Sequence, residues 1–168
     1  MALSQTAEYA LRAVVWLAQH PGDPQTTAQI SDSTQVPTSY LPKVLQPLVR
    51  ANVVRGQRGT GGGYSLVRPQ MELTLLEVVN CVDPIQRIET CPLSLATHGK
   101  KLCPLHSHLN QVIIAEESRL SAVKVGELLG SPGQMQPLCE IARDLADSAR
   151  DERDGASADP TPPERAEP

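Results

Sequence analysis

The sequence predicts a mainly α fold, in which a winged helix-turn-helix domain with a small two-stranded β wing is followed by a long dimerisation helix. Two helical patterns separated by a short turn between residues 26 and 50 predict the helix-turn-helix. A glycine-rich loop between two strand-like runs follows directly and predicts the wing. Phe is absent and aromatic residues make up 2% of the chain, so the core must consist of Leu, Val, Ile and Ala, which suits helices.

The first two helices begin with N-terminal capping signals. Ser4 is expected to cap a helix whose apolar stripe ends near His20. Thr26 and Gln29 have the spacing of a capping box, and the helix that they begin is expected to end around residues 33–34.

The third helix is predicted to have two chemically different faces. Its apolar stripe follows the i, i+3, i+4, i+7 spacing at Leu41, Val44, Leu45 and Leu48. The opposite face has hydrogen-bond donors and positive charge but no carboxylate, as a helix that enters a DNA groove should. That face consists of Ser39, Lys43, Gln46 and Arg50, with Tyr40 at its margin.

Two prolines interrupt this helical pattern. Pro42 fits near the start of the helix if Ser39 is the N-cap, because N–H groups of the first turn have no intrahelical partner. Pro47 removes a backbone hydrogen bond from the helix interior, which typically costs about 3 kcal/mol. We therefore expect a kink or an early end of the helix at Pro47.

The predicted wing is the loop from Gly56 to Gly63, between strands formed by residues 53–54 and 64–66. Its glycines accept positive φ and allow the backbone to approach a surface closely. Arg58, the only charged side chain of the loop, suits a narrow and electronegative minor groove. The predicted DNA contacts of helix and wing are Thr38, Ser39, Tyr40, Lys43, Arg50, Arg58, Gly59, Thr60, Gly61 and Gly62.

Three motifs of the chain are shared with a known family: Tyr9–Ala13 (YALRA), Thr38–Leu41 with Lys43, and Arg58–Tyr64 (RGTGGGY). They resemble the Rrf-two (Rrf2) family of bacterial winged-helix transcription regulators of the IscR, NsrR and CymR type, over roughly Ala2 to Leu129. The resemblance implies a homodimeric repressor of a pseudo-palindromic operator in double-stranded DNA. The signal that it implies is an iron-sulfur cluster, a redox change or a small molecule.

Charge is distributed unevenly along the chain, which has a net charge of −4. Residues 1–70 include six basic and three acidic residues, net +3, whereas the remainder is net −7. A mildly basic N-terminal module is typical of DNA binding. The apolar run Ala13 to Ala18 is too short to span a bilayer and no signal-peptide pattern opens the chain, so we expect a cytoplasmic protein with no membrane partner.

A group of cysteines and histidines lies between residues 91 and 108. Cys103 and His106, at i and i+3, face one way at the start of a helix. The family resemblance implies that Cys91, Cys103 and His106 are candidate ligands of an iron-sulfur cluster, 2Fe-2S rather than 4Fe-4S, with Glu8 of the partner subunit as a further candidate. Thr97 stands where the family has its middle cysteine, so a thiol switch, a small-ligand pocket and inert cysteines remain alternatives.

The helix that begins at Cys103 has apolar residues on more than one face. Such a surface is wider than one small domain requires and predicts a two-fold dimer. The predicted interface residues are Leu105, Leu109, Val112, Ile113 and Leu120.

Three regions are expected: a winged helix-turn-helix domain at 1–82, a sensor loop and dimerisation helix at 83–130, and an acidic, Pro-rich tail at 131–168, disordered from 151. A phosphate-binding enzyme is excluded, because GTGGGY lacks the Gly-Lys-Ser/Thr ending of a P-loop and precedes a strand. The alternative function is a metal- or thiol-based adaptor that binds a protein partner without specific DNA binding, which Pro42 and Pro47 would favour.

Overall fold

The order of elements is that of a winged helix-turn-helix followed by a long helix. The computed structural model describes residues 3–59, 61–92, 101–130 and 137–138, so the predictions for Thr60, Thr97 and nearly all of the tail 131–168 lie outside the described residues. The elements are α1 (Gln5–Gln19), α2 (Thr27–Thr34), α3 (Leu41–Arg50), β1 (Val54–Gln57), β2 (Gly63–Leu66), α4 (Leu75–Val82), α5 (Pro104–Ala122) and α6 (Val125–Leu128). The predicted fold class is confirmed.

The chain divides into two compact units, Met1–Pro137 and Leu138–Pro168, and all of the elements above belong to the first. In the part of the chain that the structure describes, none of the helices has both the length and the hydropathy of a membrane span.

Side-chain caps begin α1 and α2 as the sequence predicts, and a further one begins α4. Ser4 Oγ accepts a backbone N–H in the first turn of α1 at 3.2 Å. At the start of α2, Thr26 Oγ1 accepts the N–H of Gln29, and Gln29 Oε1 accepts the N–H of Thr26 at 2.8 Å. The same reciprocal box, made by Thr74 and Glu77, begins α4. Each cap satisfies N–H groups that the helix itself leaves unpaired, and typically contributes about 1 kcal/mol.

Helix α1 is the centre of the core, since it contacts α2, α3, α4, α6 and β2. Its Trp16 is buried, and the indole Nε1 donates to Gln25 Oε1 at 3.2 Å, which fixes the loop before α2. The predicted apolar stripe of α3 faces this core. Its fully buried side chains are Leu41, Val44, Leu45 and Leu48.

Helix α3 starts one residue later than predicted, and of the two outcomes expected at Pro47 the early end does not occur. The N-cap is Tyr40 and not Ser39, and Pro42 is the second helical residue. The helix does not end early, because it continues through Pro47 to Arg50. Buried side chains both before and after Pro47 hold the two parts against α1, and this packing outweighs the one backbone hydrogen bond that Pro47 cannot donate.

The wing strands are longer than the sequence indicated. In the antiparallel pair, Gly56 lies opposite Tyr64 and Gln57 opposite Gly63, so the loop is reduced to residues 58–62. The ring of Tyr64 packs against Gly56, where a Cβ would lie 3.2 Å from Tyr64 Cε1. Tyr64 also exchanges two backbone hydrogen bonds with Gln25, at 2.8 and 2.7 Å, which attach the wing to the loop before α2.

The long helix α5 packs against α4, and its C-terminal end is attached to the segment before α4. The N–H of Leu75 donates to Val123 O at 3.0 Å, and the N–H of Val125 donates to Leu73 O at 2.9 Å. Two backbone hydrogen bonds therefore connect the C-terminal end of α5 to the segment between the wing and α4.

Candidate nucleic-acid interface

The solvent-facing side of α3 is cationic and contains no carboxylate. Lys43, Gln46 and Arg50 are exposed, as is Ser39 in the preceding turn. Within the described residues the ion pairs are Arg12–Glu8, Arg68–Glu77 and Arg87–Glu117, none of which involves α3 or the wing. The positive charges of α3 and the wing are thus available to phosphate groups.

Hydroxyl groups fix the turn that leads into α3. Thr38 Oγ1 donates to Ser31 Oγ at 2.8 Å, and Ser31 Oγ donates to the carbonyl of Val36 at 2.8 Å. Thr38, predicted as a DNA contact, therefore also holds the turn between α2 and α3. A sequence pattern does not reveal this bond, since the two hydroxyls belong to different elements.

The hydroxyl group of Tyr40 forms hydrogen bonds with one residue of α1 and one residue of α3. Its OH lies 2.7 Å from Thr6 Oγ1 of α1, and Lys43 Nζ donates to the same oxygen at 3.1 Å. The hydrogen bonds with Thr6 and from Lys43 hold the pKa of Tyr40 below its ordinary value of 10.0. Tyr40, predicted as a DNA contact at the margin of the α3 face, lies between α1 and the cationic side chains of α3.

The loop of the wing depends on its glycines at specific points. Gly59 and Gly61 have φ of 101° and 77°, which side chains with a Cβ rarely adopt. Gly62 donates its N–H to Gly59 O at 2.8 Å, and a Cβ on Gly62 would lie 2.8 Å from that same oxygen. Arg58 is exposed beside this turn, as a side chain that enters a groove must be.

A cleft of about 560 Å³ lies between the start of α2, the end of α3 and the wing. Arg50 and Arg58 line it from opposite sides, and none of the described residues that line it is acidic. The first turn of α2 also lines the cleft through Thr26 and Thr27. Sequence reasoning did not include these two residues, although the capping box marks a helix N-terminus, where backbone N–H groups favour anions.

Of the candidate cluster ligands, the structure brings two together. Cys103 is the N-cap of α5, and its Sγ lies 3.3 Å from His106 Nδ1 in a hydrogen bond whose donor depends on the tautomer. Cys91 is buried. No three Cys, His, Asp or Glu side chains within 3–59, 61–92 and 101–130 are grouped to hold a metal ion. Since an iron-sulfur cluster needs about four protein ligands, the described residues do not by themselves fit one.

The segment before Cys91 is attached to the side of α5. Arg87 pairs with Glu117 at 2.5 Å, and the N–H of Ile88 donates to Asn110 Oδ1 at 2.9 Å. The segment that leads to Cys91 is therefore attached to α5 by an ion pair and a hydrogen bond.

Glu8, the fourth candidate ligand, is already engaged within its own helix. Its Oε1 accepts from Arg12 Nε at 2.9 Å and from the terminal nitrogen of the same guanidinium at 2.5 Å. Arg12 also donates to the carbonyl of Thr34 at 3.1 Å, which ties α1 to the end of α2. A metal bound to Glu8 would therefore lie beside the positive charge of Arg12.

The outer surface of α5 exposes large apolar side chains. Leu105, Leu109 and Val112 are 63%, 42% and 41% exposed. Ile113, which was predicted in the dimer interface, is 7% exposed and lies in the core of its own protomer. We therefore leave Ile113 out of the proposed interface, and keep the half-buried Leu120 at its end.

Comparison with known proteins yields a family match over most of the chain. The Rrf2 family, described as "Iron-dependent Transcriptional regulator", matches residues 3–131. The chain is 37% identical over 84 residues to Rv1287 of Mycobacterium tuberculosis H37Rv, which has a provisional name as an HTH-type transcriptional regulator. This match covers 49% of the chain and 52% of Rv1287, so the chain spans about half the length of that relative.

Two further matches extend over more of the chain. The HTH-type transcriptional regulator IscR of Aliivibrio salmonicida is 28% identical over 130 residues, which is 77% of each protein. The solved structure of T. potens IscR has a TM-score of 0.65 and 21% identity, covering 82% of this chain and 93% of that one. At this identity the structural likeness shows the fold alone.

Proposed function

The chain belongs to the Rrf2 family of transcriptional regulators, which are not enzymes, and from this premise we propose that it is a homodimeric repressor of a pseudo-palindromic DNA operator. The observation that carries the proposal is the cleft between α3 and the wing, with Arg50 and Arg58 on its two sides and no acidic side chain among the lining residues that the structure describes. A duplex backbone supplies the anionic partner that such a cleft fits.

In the proposed complex, α3 enters the major groove with Ser39 and Gln46 toward the base edges and Lys43 toward a phosphate at the edge of the groove. Arg50 and the first turn of α2 contact the phosphates beside the groove, and Arg58 on the wing enters the adjacent minor groove. A DNA target in the cytoplasm accounts for the cationic surface of α3 and the wing in a protein whose net charge is −4.

The proposed signal acts at the start of α5. Cys103 and His106 are hydrogen-bonded to each other there, and the segment before Cys91 contacts the side of the same helix. We propose a thiol switch at Cys91 and Cys103. The alternative, a 2Fe-2S cluster on Cys91, Cys103 and His106, requires a further ligand beyond these three.

Charge-matched substitutions test the DNA-binding proposal. We expect Arg58→Ala to weaken binding to an operator selected from genomic fragments by about 1–3 kcal/mol, and Lys43→Met to reduce the salt slope by about one unit. Lys124→Met is the matched control, because Lys124 is exposed at the start of α6 and does not line the cleft. The measurement is fluorescence anisotropy at several salt concentrations.

Equal affinities and salt slopes for all three variants and the wild type would contradict the assigned surface. If the wild type selects no DNA at all, the adaptor function takes the place of the repressor.

A further inference from the structure

We propose that Thr6, in α1 and outside the helix-turn-helix, is a positioning residue for DNA binding that acts through Tyr40 on Lys43. The inference rests on the proposed function. It adds to the recognition surface a residue of α1, which belongs to neither α3 nor the wing.

The phenol oxygen of Tyr40 is the centre of the arrangement. Thr6 Oγ1 lies 2.7 Å from it across 34 residues of sequence, and Lys43 Nζ donates to it at 3.1 Å. The ammonium of Lys43 also lies 4.9 Å from the centroid of the Tyr40 ring, within cation–π range. One oxygen thus connects α1 to the cation at the start of α3.

Residues of α1 contact the ring of Tyr40 as well as its hydroxyl group. Tyr9 of α1 meets it edge to face, with ring centroids 5.4 Å apart and an interplanar angle of 83°. Gln5 Nε2 in turn donates to Tyr9 OH at 2.9 Å. Tyr40 has no side-chain bond to the backbone of α3, although it is the N-cap. Its position is therefore set by α1.

A fixed Tyr40 matters because Lys43 is otherwise a long and mobile side chain. Lysine loses much rotamer freedom when it binds a phosphate or a base edge, and a side chain already held in place loses less. Thr6 keeps Tyr40 in the position that holds Lys43 above the entrance to the groove. The lowered pKa of Tyr40 is consistent with an oxygen that accepts hydrogen bonds from its neighbours.

Thr6→Val and Thr6→Ser separate the hydroxyl from the shape of the side chain. We expect Thr6→Val, which is nearly isosteric, to weaken operator binding by about 3- to 10-fold, the usual effect of one lost hydrogen bond. Thr6→Ser, which keeps the hydroxyl, should stay within about 2-fold of the wild type. In a Lys43→Met or Tyr40→Phe background, Thr6→Val should have no further effect, because the connection is already broken.

A spectroscopic readout accompanies the affinities. Ultraviolet titration of tyrosinate, with Tyr40→Phe to assign the signal, should show the pKa of Tyr40 rising in Thr6→Val and not in Thr6→Ser, since Thr6 contributes most to lowering it. A residue that merely supports the fold would not change this titration selectively.

The proposal is overturned if Thr6→Val binds as the wild type does, if Thr6→Ser is as weak as Thr6→Val, or if Thr6→Val and Lys43→Met are additive. Should Lys43→Met itself leave binding unchanged, the recognition surface is wrong and the role of Thr6 falls with it. A wild type that selects no operator instead refutes the proposed function.

Discussion

Pro47 is a residue whose energetic cost in this fold is directly measurable. It lies inside α3 and has no N–H to donate to the carbonyl of Lys43, one turn earlier. Pro42, in the same helix, is at the second helical position, where an N–H has no intrahelical acceptor. The two prolines therefore differ in whether they remove a hydrogen bond.

We expect Pro47→Ala to raise the free energy of unfolding by about 1–2 kcal/mol, because the restored bond and the better helix propensity exceed the gain in unfolded-chain entropy. Pro42→Ala is the matched control and should lower it by up to about 1 kcal/mol through unfolded-chain entropy alone. Urea unfolding followed by circular dichroism, at one fixed protomer concentration, measures both. A Pro47→Ala variant no more stable than Pro42→Ala would contradict this account.

At the residue scale, the sequence predicted the features that depend on spacing within one helix. The stripe Leu41 to Leu48 and the capping pair Thr26–Gln29 involve residues within two turns of one another, so spacing alone identified them. The contact between Thr6 and Tyr40 joins residues 34 positions apart, and no pattern within either helix indicates it. Only the packing of α1 against α3 creates it.

At the scale of elements, the wing shows that the sequence predicts the presence of a strand more reliably than the residues at which the strand begins and ends. Glycine-rich composition predicted a turn, but Gly56 and Gly63 are strand residues. Gly63 lies so close to Gln25 that a Cβ would be 2.6 Å from the Gln25 carbonyl oxygen. Glycine is needed there for close backbone packing, and sequence composition does not distinguish this use from a flexible loop.

We expect the proposed signal to act at the N-terminal end of α5. Oxidation of two thiols by peroxide forms one disulfide and reduces the peroxide to two water molecules, with the two thiol protons going to water. We expect peroxide to change the operator affinity of the wild type, and Cys91→Ser or Cys103→Ser to abolish that change. The measurement is anisotropy before and after oxidation, with peptide mapping of the disulfide.

Cys81→Ser is the matched control for these cysteine variants. Cys81 is half-buried in α4, its Sγ donates to the carbonyl of Glu77 at 3.1 Å, and burial raises the pKa of its thiol. It should therefore remain protonated at neutral pH and take no part in the response. His106→Ala distinguishes the alternatives, because it should remove the visible absorption of anaerobically purified protein only if a cluster is present. An oxidation response that survives in both Cys91→Ser and Cys103→Ser would contradict the thiol switch.

At the scale of the whole molecule, the sequence predicted that α5 is too apolar for one protomer but not which face is outward. Ile113 and Val112 are adjacent in sequence and about 100° apart around the helix, and periodicity does not say which of them is covered. Packing against α4 and the bonds from Arg87 and Ile88 determine this, with Ile113 buried and Val112 exposed.

The outward stripe of Leu105, Leu109 and Val112, with Leu120 at its end, is therefore the proposed two-fold interface, and Ile114 provides a matched control. Ile114 is 38% exposed, close to the 41% of Val112, but lies about 200° away around α5. We expect Val112→Glu to give monomers in sedimentation velocity at micromolar concentration, because pairing would bury a charge. Ile114→Glu should remain dimeric.

A monomer contacts one half-site where the dimer contacts two, so Val112→Glu should also weaken operator binding by roughly 100-fold or more. A folded Val112→Glu variant that still sediments as a dimer, or an Ile114→Glu variant that dissociates equally, would place the interface on another surface.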